Sequence, residues 1–403
     1  MTKRLKKQAK PVVFLGIVIG CALIVSGVLG LSGHLNNQEA IKSKKKNQVS
    51  ETKTNSSSQN KSDQKMPKMT LEQKVGQLLM TGMPANNYDQ ATFDAIEKYQ
   101  VGSIILTGRS KLSIPEMKVI TDKLQGLAPA NRRLLISCDQ EGGNVQVLQG
   151  TGFSEMPNGL IQGSWAPEKL QEEAKNWGSE LSTAGINFDL APVADQVLSA
   201  DFAPQNAPIG YWSRQYAYDK ANIVSHADAF SKGMKSAGVL TTAKHFPGLG
   251  AVTGNTDISA GVRDSQTNPK SESVQIFKEL ISSGVPSIMT ATAIYDQIDP
   301  ELPGAFSPKM VDGLLRNQLG FDGLVITDDL SNAVQVQAWS PGQRAVLALA
   351  AGNDLVLANE PTQIPEMISE VLQKAKSDQG FAEKINQASS RVMKVKEQMK
   401  LVE

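Results

Sequence analysis

The stretch KHFPGLGAVTGNTD, residues 244–257, places an ammonium group, an imidazole and, beyond a glycine-punctuated loop, a carboxylate close together in the chain. Further acidic pairs close two other apolar runs: Asp139 and Glu141 in DQEGG, and Asp328 and Asp329 in VITDDL. Asp195 ends a third, NFDLAPVAD, and Thr290 and Thr292 end a fourth. Carboxylates of this kind, with neither a metal cluster nor a phosphate loop beside them, suit the hydrolysis of sugar bonds, where one carboxyl attacks or activates and another moves the proton. A lysine and an imidazole suit the binding of sugar hydroxyls. For any single aspartate there is a plainer role, that of capping the helix after its strand, and Asp195 and Asp329 fit that role as well as a chemical one.

Other chemistries are poorly served. The chain has 403 residues and a formal net charge of +1, which provides no electrostatic reason to bind nucleic acid. Its two cysteines, Cys21 and Cys138, lie far apart, and its three histidines, His34, His226 and His245, are too few and too scattered for a metal centre. No cofactor and no metal is expected. His226 falls within a helical pattern and reads as a surface or packing residue.

The elements that must position these groups follow from the texture of residues 69–403. Eight apolar runs recur: GQLLMTG, VGSIILTG, RRLLISCDQEGG, NFDLAPVAD, GVLTTAKHFPG, VPSIMTAT, DGLVITDDL and NDLVLAN. Amphipathic segments such as APEKLQEEAKNWGSELSTAG and YDKANIVSHADAFSKGMKSAG separate most of them. Continuous apolar strands alternating with helices predict a parallel sheet covered on both faces. Eight units predict an α/β fold of the (β/α)8 TIM-barrel type. The alternative, a doubly wound open sheet, would want a G-x-G-x-x-G turn or a P-loop, and the sequence has neither. In a barrel the polar residues closing the strands converge on one rim, so Asp139, Glu141, Asp195, Lys244, His245, Thr290, Thr292, Asp328 and Asp329 become neighbours.

The N-terminal part is different. Residues 1–10 carry five Lys/Arg, and residues 11–31 run uncharged from Pro11 to Leu31. The span suffices for a transmembrane helix, and its basic flank holds the N-terminus in the cytoplasm with the rest of the chain outside. A cleaved signal peptide and a lipidated Cys21 in VIGC are alternatives; the length of the apolar run, continuing well past Cys21, favours an uncleaved anchor. Residues 32–68, rich in Ser, Asn, Gln and Lys, are expected to form a flexible linker, with His34 in it. The partners expected are thus a carbohydrate substrate and, through the anchor, a membrane; no sequence feature assigns an oligomeric state.

DQEGG, KHFPG and VITDDL, in that order and each at a strand end, resemble glycoside hydrolase family 3, and most closely its single-domain β-N-acetylglucosaminidases that trim muropeptides. The resemblance covers about Thr70 to Lys400. It implies that Asp328 is the nucleophile and that Asp139, Lys244 and His245 bind the sugar at the −1 subsite. Arg214, in APIGYWSRQY, joins them if a short insertion is allowed. The chain departs from the family pattern at several positions. The catalytic histidine that ends the family's glycine loop is replaced by Asp257, in Asn255–Thr256–Asp257. An arginine after DQEGG is Val147, PGHG is PGLG at Leu249, and a histidine after the sixth strand is Thr292. Asp257 then stands as the acid/base, on a loop expected to be mobile; a carboxyl can serve if burial or the charge of Asp328 raises its pKa. The expected activity is that of an extracellular, membrane-anchored retaining glycoside hydrolase acting on terminal β-linked N-acetylhexosamine or a related sugar, with a role in cell-wall glycan turnover. The alternative is a catalytically weak or inactive barrel that binds wall glycan.

Overall fold

The computed structural model describes residues 68–402, and in it each of the eight apolar runs forms a parallel strand. β1 is Leu79–Pro84, β2 Ser103–Thr107, β3 Leu135–Cys138 and β4 Phe188–Asp189. β5 comes in two pieces, Leu240–Thr241 and Ala243–Phe246. β6 is Ser287–Thr290, β7 Leu324–Thr327 and β8 Val356–Ala358. Sequence neighbours are sheet neighbours. β1 meets β2 at Met80↔Ser103, β2 meets β3 at Ile104↔Ile136, and β3 meets β4 at Ser137↔Phe188. The first piece of β5 pairs with β4 at Phe188↔Leu240, the second with β6 at Ile288↔Ala243. β6 meets β7 at Ser287↔Leu324, a bridge at Ile326↔Leu355 leads into β8, and β8 returns to β1 at Leu79↔Val356. The ring closes, which is the expected (β/α)8 barrel and leaves no open sheet edge among these strands.

The break in β5 falls at Thr242. Its N–H turns to Ala191 O at 2.9 Å and its hydroxyl donates to Ser287 Oγ at 2.7 Å, so the seam is bridged by side-chain and loop bonds. β3 and β7 are buried along their whole length, because helices cover the outside and side chains fill the inside. Ile105, Leu190, Met289 and Leu357 are buried at the base of the cavity that opens at the C-terminal ends of the strands. Burial of each such side chain is worth roughly 1.5–3 kcal/mol, so the floor of the site is also part of the core.

The helices start where short polar side chains allow. Asp89 caps Gln90–Tyr99 and Asp219 caps Lys220–Ser236, each accepting a first-turn N–H. Ser340 and Gln343 form a capping box on Pro341–Ala351. Between β6 and β7 the connection Lys309–Gln318 is a wider π-helix, with Gly313 N–H bonded to Pro308 O at 2.9 Å. On the rim, a small sheet of Arg263–Asp264, Ile294–Tyr295 and Asp299–Pro303 ties the loop after β5 to the loop after β6. Among the described residues no helix is long and apolar enough to cross a membrane. The basic segment at 1–10, the anchor expected at 11–31 and all but the last residue of the linker expected at 32–68 lie outside the described residues.

Candidate active site

A cavity of about 400 Å³ opens at the C-terminal ends of the strands, and Asp139, Arg214, Lys244, His245, Asp257 and Asp328 all line it. The strand-end rule places Asp139, Lys244, His245 and Asp328 at one rim, the family resemblance adds Arg214 and Asp257, and the structure brings all six together. They fall into three groups with different physics.

The first group is a charged wall. Asp139 follows β3, and Glu141 lies on a hairpin in which Gln140–Gly142 pairs back with Val145–Gln146. Glycines make that turn: Gly142 and Gly143 have φ of 101° and 56°, and a Cβ on Gly142 would stand 2.2 Å from Pro157 O. Lys244, on β5, reaches Asp139 Oδ1 at 2.5 Å and Glu141 Oε1 at 2.6 Å. Arg214 grips Glu141 with two parallel bonds, Nε to Oε2 at 2.8 Å and Nη2 to Oε1 at 2.7 Å, and donates from Nη1 to Pro208 O at 2.7 Å. Two cations and two anions thus compensate one another in a buried place. Burial opposes the charge on Glu141, but Arg214 and Lys244 outweigh it and hold the carboxyl down at about 2. Burial likewise disfavours the charge on Lys244, and Asp139 and Glu141 override it, raising its pKa well above the ordinary lysine value. Only Asp139 keeps substantial exposure, 30% of its side chain against 3% for Lys244. Asp139 is therefore the member of the wall that is open to the cavity, while Lys244 and Arg214 spend their donors on the carboxylates they hold.

The second group fixes His245. Asp195, fully buried, accepts from His245 Nδ1 at 2.7 Å and also from the backbone N–H groups of His245 and Leu249 at 3.2 and 2.7 Å. Holding Nδ1 in this way sets the ring's orientation and leaves Nε2 without a protein partner among the described residues. Of the two readings open for Asp195, the structure carries the one other than a helix cap: its oxygens serve the imidazole and the loop behind it. Asp329 does behave as a turn-former, its oxygens accepting from Ser331 N, Asn332 N, Asn359 N and Ser331 Oγ. His226 is buried with its nitrogens against Asn222 O and Trp165 O, a packing residue as expected.

The third group is the pair of carboxyls, Asp328 and Asp257. Asp328 ends β7; its N–H bonds to Thr290 O at 3.0 Å, carrying the β6–β7 ladder one residue further and setting the side chain at the rim. Asp257 lies on the loop after β5 as an exposed residue at the lip of the cavity. The protein around it and then the charge of Asp328 push its carboxyl up to about 6, against the opposing pull of His245 and Arg214. A carboxyl so poised exchanges a proton readily near neutral pH, and the neighbour that raises its pKa is the expected nucleophile.

The backbone of the loop expected to be mobile is bonded to its surroundings at several points. Tyr295, fully buried, donates its hydroxyl to Gly248 O at 2.9 Å. Asn206 donates to Leu249 O and Val252 O at 2.8 and 2.7 Å. At the tip, Gln335 N and Val334 N bond to Thr256 O and Asp257 O, both at 3.1 Å, so the loop is tied to the segment following Asp328. The replaced positions have distinct fates. Leu249 packs in the core as a wall of the cavity, Thr292 is fully buried with its hydroxyl unpartnered among the described residues, and Val147 borders a second, smaller cavity.

A closed barrel with a buried charged wall and a carboxyl pair at its C-terminal mouth defines a class, the barrel enzymes that cleave glycosidic bonds. Comparison with known proteins narrows it. Residues 70–395 match the glycosyl hydrolase family 3 N-terminal domain. A β-hexosaminidase of Alkalilimnicola ehrlichii is 32% identical over 302 residues, 72% of this chain and 83% of that protein. The solved β-N-acetylhexosaminidase of Beutenbergia cavernae is 48% identical, with a TM-score of 0.81, covering 82% of this chain and 99% of that one. A family 3 β-N-acetylglucosaminidase of a Paenibacillus species is 29% identical with a TM-score of 0.75, over 83% of this chain and 63% of that one. The chain belongs to glycosyl hydrolase family 3 and is a glycosidase that hydrolyses O-glycosyl bonds.

Proposed function

We propose that this protein is a retaining exo-glycosidase that releases terminal β-linked N-acetylhexosamine, that Asp328 and Asp257 are its nucleophile and acid/base, and that residues 11–31 hold it on the outer face of the cell membrane, where it serves wall-glycan turnover. The substrate follows the names of its relatives, β-hexosaminidase and β-N-acetylhexosaminidase. The observation that carries the mechanism is the meeting of the raised Asp257 carboxyl and Asp328 in one cavity beside the charged wall. Asp139 and His245 Nε2 hold hydroxyls of the terminal sugar. Asp328 attacks the anomeric carbon as Asp257 gives its proton to the departing oxygen, forming a glycosyl ester. Asp257, now ionised, takes a proton from water as that water attacks the same carbon and frees Asp328. Membership of the family favours this over a merely glycan-binding barrel.

The test is a panel of 4-nitrophenyl β-glycosides presented to the full chain in detergent, with the first-formed anomer followed by proton NMR. An N-acetyl-β-hexosaminide should turn over fastest and yield the β-anomer first. Preference for a sugar without the acetamido group would overturn the substrate, and an α-anomer would overturn retention. N-terminal sequencing of the membrane-recovered protein tests the anchor: a start at Cys21 or near Gly33 would overturn it.

A further inference from the structure

The catalytic cavity has a side chamber. A second space of about 270 Å³ shares Ile105, Asp139, Val145 and Asn359 with the main cavity, so the two meet along the side where Asp139 stands. Its distinctive lining group is Arg109, just past β2. The chain reaches it through Gly108, whose φ of 81° lies in the left-handed region that glycine enters without cost. No atom lies within 4 Å of where a Cβ on Gly108 would be, so the turn leaves the chamber open there.

The backbone beside the exposed Arg109 is anchored. Its neighbour Ser110 is strapped to the strand running out of the DQEGG hairpin, with Ser110 N–H bonded to Val147 O at 2.8 Å and Gln149 N–H to Ser110 O at 2.9 Å. The guanidinium donates from Nη2 to Asn144 O at 2.9 Å. A guanidinium has five N–H donors in a fixed fork, and among the described residues Arg109 has no carboxylate partner. The other arginine bordering the site, Arg214, is by contrast already filled by Glu141 and Pro208 O. A second observation also points to a ligand. Asn359, at the junction of the two spaces, has its side-chain Oδ1 buried and unpartnered among the described residues. An acceptor left so costs about 1–3 kcal/mol unless something donates to it.

We propose that the chamber takes a carboxylate-bearing substituent on the same sugar that the main cavity holds, with Arg109 binding the carboxylate and Asn359 Oδ1 accepting from a neighbouring hydroxyl or amide N–H of that sugar. The inference rests on the glycosidase reading above and adds a class of substrate, a terminal sugar that is itself acidic. The negative charge of Asp139 does not bar such a group, because Lys244 sits against it at 2.5 Å and neutralises it. Arg109, with one bond to Asn144 O, presents its remaining donors for a bidentate grip, the geometry in which guanidinium and carboxylate bind best.

The test uses 4-nitrophenyl N-acetyl-β-glucosaminides carrying a carboxyalkyl ether at O3, O4 or O6 in turn, each beside its uncharged methyl ester and the unsubstituted glycoside. One acidic regioisomer should exceed its ester in kcat/KM by about tenfold or more, the usual yield of a charge-assisted pair. Arg109→Gln should erase that preference while changing the unsubstituted glycoside less than about twofold, and Arg109→Lys should restore part of it. Equal loss on all three substrates in Arg109→Gln, or no acid preference in the wild type, would overturn the proposal. Calorimetric binding of the corresponding free sugar acids to Asp328→Asn provides a second readout. Binding that prefers the acid and is lost in the double variant with Arg109→Gln would uphold the chamber even if no glycoside were hydrolysed, an outcome that would sink only the catalytic reading.

Discussion

The charged wall and the carboxyl lip face each other across one cavity and are built on opposite terms. In the wall, Lys244, Arg214, Glu141 and Asp139 are bonded to one another or to backbone, and Glu141 is held ionised. At the lip, Asp257 is exposed; its backbone is pinned but no side-chain partner holds its carboxyl among the described residues, and its pKa is moved up toward neutrality. The wall has charges that do not change during a reaction, so it can hold a sugar in a fixed pose. The lip has a charge that is easily changed, which is what a proton-transfer group needs.

The sharpest way to break this division is at the carboxyl pair. Asp328→Asn should lower kcat by on the order of 10⁴-fold or more, since an amide cannot form the glycosyl ester, while sugar binding to the wall persists. The same change removes the second of the causes that lift Asp257, after the protein packed around it, so the Asp257 pKa should fall part of the way from about 6 toward the ordinary carboxylate range, as read by carbon-13 NMR of labelled aspartate. Asp329→Asn should leave kcat within about tenfold and instead lower the unfolding free energy by about 1–3 kcal/mol, because its oxygens serve three turn bonds and one to Asn359 N past β8. Full activity in Asp328→Asn would place the nucleophile elsewhere.

Asp257→Ala should cost about 10²–10⁴-fold on substrates with poor leaving groups. Dinitrophenyl glycosides need little proton assistance, so they should show a burst followed by a slow steady rate, and azide should raise that rate and yield a β-glycosyl azide. Wild-type kcat/KM on poor leaving groups should fall above pH of about 6, by about tenfold per unit, because Asp257 must carry its proton in the first step. On dinitrophenyl glycosides that alkaline limb should be absent. A uniform loss across leaving groups, with no azide effect, would make the loop a turn and nothing more.

The wall should fail by losing stability rather than chemistry. Glu141→Gln leaves Lys244 and Arg214 facing Asp139 alone, and an uncompensated buried charge costs about 3–5 kcal/mol. The pH dependence has a definite sign. The folded pKa of Glu141 is depressed from 4.5 to about 2, so its ionisation adds stability at pH above 4.5 that is lost as pH falls toward 2. A shift of that size corresponds to about 3 kcal/mol. Urea unfolding of wild type and Glu141→Gln should therefore differ by about that amount at pH 6.5 and converge as the pH is lowered toward 2. A gap that stays constant with pH would show that Glu141 acts by shape and not by charge.

Most of the barrel was legible because a parallel strand covered on both faces must be apolar along its length, and the eight runs carry that mark independently of one another. The rim followed from the same rule, since a barrel turns residues at strand ends into neighbours: Lys244 and Asp139, 105 positions apart, bond as expected of one rim. What stayed hidden depends on pairs that leave no local pattern. Glu141 and Arg214 are 73 positions apart, and nothing in either stretch announces a two-bond grip. The two readings of Asp195 stayed open because an aspartate after a strand looks the same whether it caps a helix or orients an imidazole. The pinning of the Asp257 loop was invisible for a similar reason. The loop's own glycines carry no sign of its anchors, because Tyr295, Asn206 and the backbone of Val334 lie on other loops.

The smallest effect separates the tip from its supports. Asn255 accepts from the N–H of Asp257 through Oδ1 at 2.9 Å, a local turn bond that aims the acid without touching its carboxyl. Asn255→Ala removes one exposed bond of about 0.5–1.5 kcal/mol, and the anchors at Gly248, Leu249 and Val334 remain. Because both proton-transfer steps use the same carboxyl, loosening its aim should lower kcat by roughly threefold to tenfold while leaving KM for the unsubstituted glycoside within about twofold. The alkaline limb should survive with its midpoint still near 6, because the surroundings and the charge that set it are unchanged. A change in KM that matched the change in kcat would mean that Asn255, which also lines the cavity, holds substrate directly and belongs with the wall in function.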